Sequence, residues 1–316
     1  MPSHVGYLRA MTPDVESASQ ATWLASIVVP AHNEASRGFA VLPTLRLAVA
    51  QGCLVVVVCN GCTDSTVALA SSVPGIHVVE IEVASKTRAL NAGDDVAGDV
   101  FPRIYLDADV SIEFSSLISL SKALDGVNSL AAGPEVDFDA SRSAPLVRLY
   151  FEALASVPFL RELVAHHLDG RGAYAVTSVG RSRFQRFPDI VADDTFFDRM
   201  FDESEKVVVP GAVSRPSVPL SLRDLLRAKR RTVHGAHEIS NWFAQSNPER
   251  VRTSQLQSDP ATPWWSRARF HLRDNGLLPS KSFHGVLVAG TYVAVEVTAR
   301  VANWMAGVVG RTTKWR

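Results

Sequence analysis

Residues 103–112 read RIYLDADVSI: an apolar run, Ile104-Tyr105-Leu106, stops at two aspartates, Asp107 and Asp109, with only Ala108 between them. Side chains of an extended chain alternate, so residues i and i+2 point the same way. If the extension continues past Leu106, the two carboxylates share one site. Two carboxylates that close repel each other unless a cation lies between them. The competing reading is a solvated loop with two acidic turn residues, a common use of Asp. The surrounding sequence has to decide between the two.

The strands around this stretch set the fold. Ser26–Val29, Leu54–Val58, Ile76–Ile81 and Arg103–Leu106 are apolar, β-branched runs, and helical stretches at 38–51, 64–72 and 85–97 separate them. Gly52 stops the first helix, and Ser85 is placed to cap the third. Near-continuous apolar strands alternating with helices predict an α/β protein with a mostly parallel sheet. Such sheets bind ligands beyond the carboxyl ends of their strands. The polar clusters fall there: PAHNE (30–34) after the first strand, CNGCTD (59–64) after the second and DAD (107–109) after the fourth.

Composition narrows the function classes. The 316 residues are 47% hydrophobic, enough for a full core and against global disorder. Lys+Arg and Asp+Glu both number 32, so there is no basic excess to suggest a nucleic-acid partner. Cys59 and Cys62 form a C-x-x-C, and Cys53 is the third cysteine. No second pair completes a zinc site, and an odd count argues against a disulfide scaffold, while a thioredoxin-like redox pair stays open. No charged-then-apolar signal pattern opens the sequence, so a cytoplasmic location is expected. No internal repeat or low-complexity tract is visible.

No G-x-G-x-x-G follows the first strand, and no G-x-x-x-x-G-K-[ST] occurs, so the glycines do not outline a dinucleotide or P-loop site. The ordered set VVPAHNE (28–34), VVVVCNGCTDST (55–66), SKTRALNAG (85–93) and LDADV (106–110) resembles the family 2 glycosyltransferases, over roughly residues 24–240. The resemblance implies a GT-A-like fold and inverting transfer of a sugar from a nucleotide-diphosphate sugar to an acceptor hydroxyl. It places Pro30, His32 and Glu34 in the nucleotide-base pocket, with Lys86 at the donor. The family's usual D-D-G-S-T-D reads CNGCTD here, so Asn60 replaces an acid while Asp64 is retained. Asn60 can donate and accept at a base edge; Asp64 serves equally as a helix cap.

Asp107 and Asp109 match the family's metal-binding acids, with Mn²⁺ or Mg²⁺ as the implied cofactor. A divalent ion held by carboxylates and phosphates neutralises charge on a departing diphosphate. Further on, Gly170, Arg171 and Gly172 resemble the acceptor-side loop and lead into a strand-like Ala173–Thr177. DIVADDTFF (189–197) resembles the acidic pair that opens a helix, which makes Asp194 the implied catalytic base and Asp193 its neighbour; the other reading is helix capping. One base and one metal suffice for inverting transfer. PLSLRDLLRAKRRTVHGAHE (219–238) begins with Ser221 and Asp224 spaced as a capping box. The family often carries a stretch near here that closes over the diphosphate. The match lacks its Gln and Trp, and Arg230, Arg231 and His234 are the candidates; a solvated basic helix is the alternative.

Residues 283–309 are apolar and long enough to span a bilayer. Glu296 and Arg300 interrupt them at i,i+4, where they are placed to pair. The expectation is a helix packed on the domain or lying at a membrane surface as a peripheral contact. Trp264, Trp265, Trp304 and Trp315 suit an interface or a core equally. The expected organisation is an N-terminal arm (1–20), a catalytic domain (21–215; donor half 21–115, acceptor half 116–215) and a helical C-terminal region (216–316). The expected partners are a nucleotide-diphosphate sugar and a hydroxyl acceptor that is a saccharide, lipid-linked or a small molecule, with no nucleic acid. Two rivals remain: a sugar nucleotidyltransferase of related fold and an inactive binding relative.

Overall fold

A computed structural model describes residues 23–126, 129–246 and 283–308. The expected arm at 1–20 and the tryptophans Trp264, Trp265 and Trp315 lie outside the described residues. Strand β1 (Ser26–Ala31) and strand β2 (Leu54–Asn60) are buried at every position. Both faces of these strands are covered, which is why their sequences are continuously apolar and do not alternate. β1 pairs in parallel with β2 from Ser26↔Leu54 to Ala31↔Cys59, and with β4 (Arg103–Leu106) from Ser26↔Arg103. β2 pairs in parallel with β3 (Ile76–Ile81). The register puts the ends of β1, β2 and β4 on one rim, together with the polar clusters that follow them.

Helices α1 (Leu42–Ala50), α2 (Thr66–Ser71) and α3 (Lys86–Ala97) connect these strands. Ser85 caps α3 by accepting from the Arg88 amide, as expected. Gly93 seats α3 on the sheet: a Cβ there would lie 2.3 Å from Val28 Cγ1. Beyond β4 the sheet becomes mixed. β5 (Val110–Ile112), β6 (Ala131–Val136), β7 (Ala173–Val176) and β8 (Lys206–Pro216) complete the order β3-β2-β1-β4-β7-β6-β8-β5. β7 is antiparallel to both β4 and β6, β6 is parallel to β8, and β8 is antiparallel to β5. α4 (Phe114–Ala123) supplies Leu117 and Leu120 to the core beneath this half.

A buried ionic node joins three elements. Asp94 of α3 accepts from Arg103 Nη1 (2.7 Å), the Tyr105 hydroxyl (2.8 Å) and Arg181 Nη2 (2.7 Å). Arg103 and Tyr105 belong to β4, and Arg181 closes the short helix α7 (Ser178–Arg181). Removing one partner of a buried charge set leaves the others uncompensated, at a cost of about 3–5 kcal/mol. Asp94→Ala is therefore expected to lower unfolding free energy by that amount in urea titration; a loss below about 1 kcal/mol would be the figure for a mere surface pair and would exclude this role.

The chain divides into two units. The first runs up to Asp137 and adds Leu168–Asp189 and Phe196–Ser217; it holds the whole sheet. The second comprises Phe138–His167, Ile190–Thr195 and the chain from Val218 on. Within the second unit lie α5 (Pro145–Ser156), α6 (Pro158–Ala165), the start of α8 (Asp193–Asp198), α9 (Leu222–Ser246) and α10 (Phe283–Val308). Val147, Tyr150, Leu225, Val288, Tyr292 and Val295 form part of its core. The tail is helical, as expected, but the anticipated Glu296–Arg300 pairing is replaced. Buried Glu296 takes Lys229 Nζ of α9 at 2.7 Å and the Tyr150 hydroxyl of α5 at 3.0 Å. Burial opposes the charge on Lys229, yet the Glu296 carboxylate outweighs it and holds the amine above its ordinary value.

Candidate active site

On the rim of the first unit, the loop after β1 is locked to the loop after β2. His32 Nδ1 donates to the Asn60 carbonyl at 2.6 Å, which fixes its tautomer and leaves Nε2 within 3.4 Å of the Asn33 amide. Asn33 adopts φ 54°, a left-handed conformation uncommon outside glycine, and its Oδ1 accepts from the Thr63 amide at 2.8 Å. Strain of this kind persists where surrounding contacts enforce it. Asn33 is a rim residue that motif order does not single out, although it lies within the HNE stretch (32–34). Pro30 lies in β1 opposite Val58, past the last β1–β4 pair, where the missing N–H leaves that ladder intact.

Asn60 is fully buried, and its Nδ2 donates to the Ala31 carbonyl at 2.9 Å. Its side chain therefore braces the end of β1. Asp64 Oδ1 accepts from the Thr66 hydroxyl (2.5 Å) and amide (3.0 Å), and Oδ2 from the Ala35 amide (3.1 Å). The Thr66 hydroxyl is the main reason its carboxyl sits below the ordinary range. Two buried oxygens in this web have no hydrogen-bond partner, Asn60 Oδ1 and one carboxylate oxygen of Glu34. Glu34 is itself buried, and desolvation, followed by the charge on Asp109, raises its carboxyl above the usual range.

The strand does not continue through Asp107 and Asp109. β4 stops at Leu106 and a turn leads to β5, with the Val110 amide 3.4 Å from the Asp107 carbonyl. Strand alternation therefore does not set the two side chains on one face, the arrangement expected from the sequence, although both carboxylates stay at the rim. Each meets its own cation: Asp107 Oδ1 lies 2.6 Å from Lys86 Nζ, and Asp109 Oδ2 lies 3.6 Å from Arg37 Nη1. Both carboxylates are about one-third exposed, 32% and 35%. Arg37 was not anticipated, because it lies outside the quoted motifs.

The glycine loop underlies this turn. The Asp107 amide donates to the Gly172 carbonyl at 2.8 Å. Gly172 has φ 68°, and a Cβ there would lie 2.3 Å from Val110 Cγ2, so only glycine admits the approach. Gly170 is also left-handed, at φ 67°. Arg171 is buried, with Nη1 donating to the Pro134 carbonyl at 2.7 Å. Its side chain holds β6 in place.

In the second unit, Asp193 and Asp194 open α8. Asp193 is buried; Asp194 is half-buried, and its Oδ1 accepts from the Thr195 amide at 2.8 Å. α9 packs against the segment before them. Glu238 Oε2 accepts from the Val191 amide at 3.0 Å, His234 Nε2 lies 3.3 Å from Glu238 Oε1, and a Cβ on Gly235 would lie 2.7 Å from Ala192 Cβ. Arg231 is exposed, while Arg230 lines a groove between α9 and α10.

The C-x-x-C borders the same rim. Cys59 is buried next to the end of β2, and Cys62 Sγ lies 3.4 Å from the Ala31 carbonyl. A hydrogen bond from the Cys59 thiol lowers Cys62 to about 6, whereas burial raises Cys53. Iodoacetamide should therefore alkylate Cys62 with a rate that rises through pH about 6 and spare Cys53. Modification of Cys62 only above the ordinary thiol range would refute the thiolate.

No family model matches the chain, and no curated protein sequence matches it. Among solved structures, mannosyltransferase PcManGT from Pyrobaculum calidifontis, in complex with GDP-Man and Mn²⁺, is similar with TM-score 0.55 and 19% identity, covering 89% of this chain and 86% of that one. TarS 1–349 of S. aureus gives TM-score 0.46 and 15% identity, covering 88% and 91%. Glucosyl-3-phosphoglycerate synthase of Mycobacterium tuberculosis, in complex with Mn²⁺, UDP and glucosyl-3-phosphoglycerate, gives 0.46 and 19%, covering 68% and 78%. At these identities the likeness concerns the fold, and the first match carries it: the α/β fold is GT-A-like, as found in glycosyltransferases.

Proposed function

We propose that this chain is an inverting glycosyltransferase of family 2 type, moving a sugar from a nucleotide-diphosphate sugar to an acceptor hydroxyl. The observation that carries the reading is the Asp107–Asp109 turn on the rim of a GT-A-like sheet, flanked by Lys86 and Arg37. The residues suit a divalent cation. Asp109 acts on buried Glu34, whose carboxylate has an orphaned oxygen, so an added cation would find an unsatisfied acceptor beside it. Asp109 and Asp107 would hold Mn²⁺ or Mg²⁺. When bound, such an ion supplies electrostatic stabilisation of the diphosphate.

The chain's own residues do the rest. The His32–Glu34 loop and the β2 end form the base pocket, with Asn60 and Asp64 bracing its wall. Lys86 binds donor phosphate oxygens as a point charge, with Arg231 and His234 as further candidates; Arg230, the third candidate, instead lines the α9–α10 groove. Asp194 takes the proton from the attacking hydroxyl, Asp193 sets its surroundings, and Gly170–Gly172 shape the acceptor side. The catalytic domain in this reading is 21–215, followed by the helical region 216–316, and the enzyme works on the cytoplasmic side. The fold likeness to a structure containing GDP-Man and Mn²⁺ supports the donor class. The test is a screen of nucleotide-sugars with Mn²⁺ or Mg²⁺, reading released nucleoside diphosphate. Release of pyrophosphate from a sugar phosphate and a nucleoside triphosphate would favour the nucleotidyltransferase instead, and donor binding without turnover would favour the inactive relative.

A further inference from the structure

Helix α10 is inverted relative to an ordinary surface helix. Its inward face carries the charge, with Glu296 buried against Lys229 and Tyr150. Its outward face is apolar: Val286, Leu287, Val297, Val301, Trp304 and Met305 are all exposed, Trp304 by 70%. No exposed residue between 286 and 305 is charged. The spacing of these positions makes one continuous stripe, roughly 28 Å long at the helical rise. Single exposed apolar residues need no explanation, but a contiguous charge-free stripe marks a surface that meets something apolar.

The neighbouring helix says what that partner is. α9 and α10 border a groove of about 540 Å³ whose apolar lining includes Leu222, Leu226 and Ala302, and Arg223, Arg227 and Arg230 also line it. Asp224 neutralises one of the three, through Arg227 at 2.9 Å. Arg230 Nε is buried without a hydrogen-bond partner. Apolar surface edged by guanidinium groups matches the boundary of an anionic bilayer, where acyl chains meet phosphates. An exposed Trp near the end of the stripe fits the same boundary. A bilayer span does not fit: it would strip Glu296 of Lys229 and pull Val288, Tyr292 and Val295 from their core. A two-fold dimer through this face would set the same arginines of both copies at one interface.

We infer that α10 lies flat on a leaflet of anionic phospholipid, with its outward stripe in the acyl boundary and Arg223, Arg227 and Arg230 holding lipid phosphates. This does not depend on the transferase reading, because it is tested by binding alone. The full chain is sedimented with phosphatidylglycerol or phosphatidylcholine vesicles. Expected are binding to phosphatidylglycerol only, release by high salt or alkaline wash, and a loss of about tenfold or more in partitioning for Val301→Asp or Trp304→Gln, as each removes one large apolar group from the boundary. Both positions are exposed, and unchanged thermal unfolding shows that the variants fold. Arg223→Ser/Arg227→Ser should abolish the preference for anionic vesicles. Four results would overturn the inference: equal binding to both vesicles, no binding to either, resistance to alkaline wash, or a dimer in light scattering that Val301→Asp splits.

Discussion

Asp109→Asn is expected to remove nearly all sugar transfer while the protein stays folded. The folded state asks little of this carboxylate. It is about one-third exposed, and its ion pair, to Arg37 at 3.6 Å, is long. Exposed pairs of this kind contribute about 0–1 kcal/mol, so the thermal midpoint should barely move. The site asks far more. Asp109 bears on buried Glu34 and stands at the turn proposed to hold the divalent cation. Electrostatic stabilisation of a leaving diphosphate is worth several kcal/mol, and each 1.4 kcal/mol is about tenfold in rate. A fall of about a thousandfold or more in kcat/KM follows, with metal-dependent donor binding weakened in calorimetry. Arg37→Ala, tested beside it, removes only the long ion pair and should change donor affinity less. If Asp109→Asn kept wild-type transfer and metal response, the assignment of the turn as the metal site would be wrong.

How much of this was legible depended on whether the decisive contact was local. β1, β2, β3 and β4 announced themselves because strands covered on both faces must be apolar throughout. The caps at Ser85 and Ser221 were legible because their partners lie three residues away; Asp224 N–H indeed donates to Ser221 Oγ at 3.2 Å. β6 and β8 were missed because AAGPEV and KVVVPGAVSRP contain the residues that usually mark turns. The sheet admits them at a register shift after Pro134, with Gly211 at φ 78° on β8. α5 begins with Pro145 at its first turn and no side-chain cap, so only its spacing of Val147, Tyr150 and Ala153 could have exposed it. Glu296 shows the limit most plainly. Local reasoning offers only Arg300, yet the burial of a charge is settled by whichever cation the packed helices bring, here Lys229. At the rim, residue identities were legible from motif order, but the turn at Asp107–Asp109, Arg37 and strained Asn33 required coordinates.

Asp194→Asn should lower transfer by about 10²–10⁴-fold, the usual contribution of a positioned base. Their surroundings separate the two neighbouring acids. Asp193 is buried, so replacing it perturbs an interior charge and its partners; Asp194 is half-buried and opens α8. Asp194 Oδ1 already accepts from the Thr195 amide at 2.8 Å, and an asparagine oxygen can keep that bond. The variant therefore preserves the helix start and loses only the ability to accept a proton. Donor and metal affinity should change little, since the proposed metal ligands, the base pocket and Lys86 belong to the sheet-bearing unit and Asp194 does not. Asp193→Asn should cost stability more than rate, visible as a lower thermal midpoint with transfer largely kept. The measurement is kcat, donor Kd and thermal midpoint for both single variants. An inactive Asp193→Asn beside a normal Asp194→Asn would move the base by one residue. Normal transfer by both would end the acceptor-side assignment and return weight to the nucleotidyltransferase.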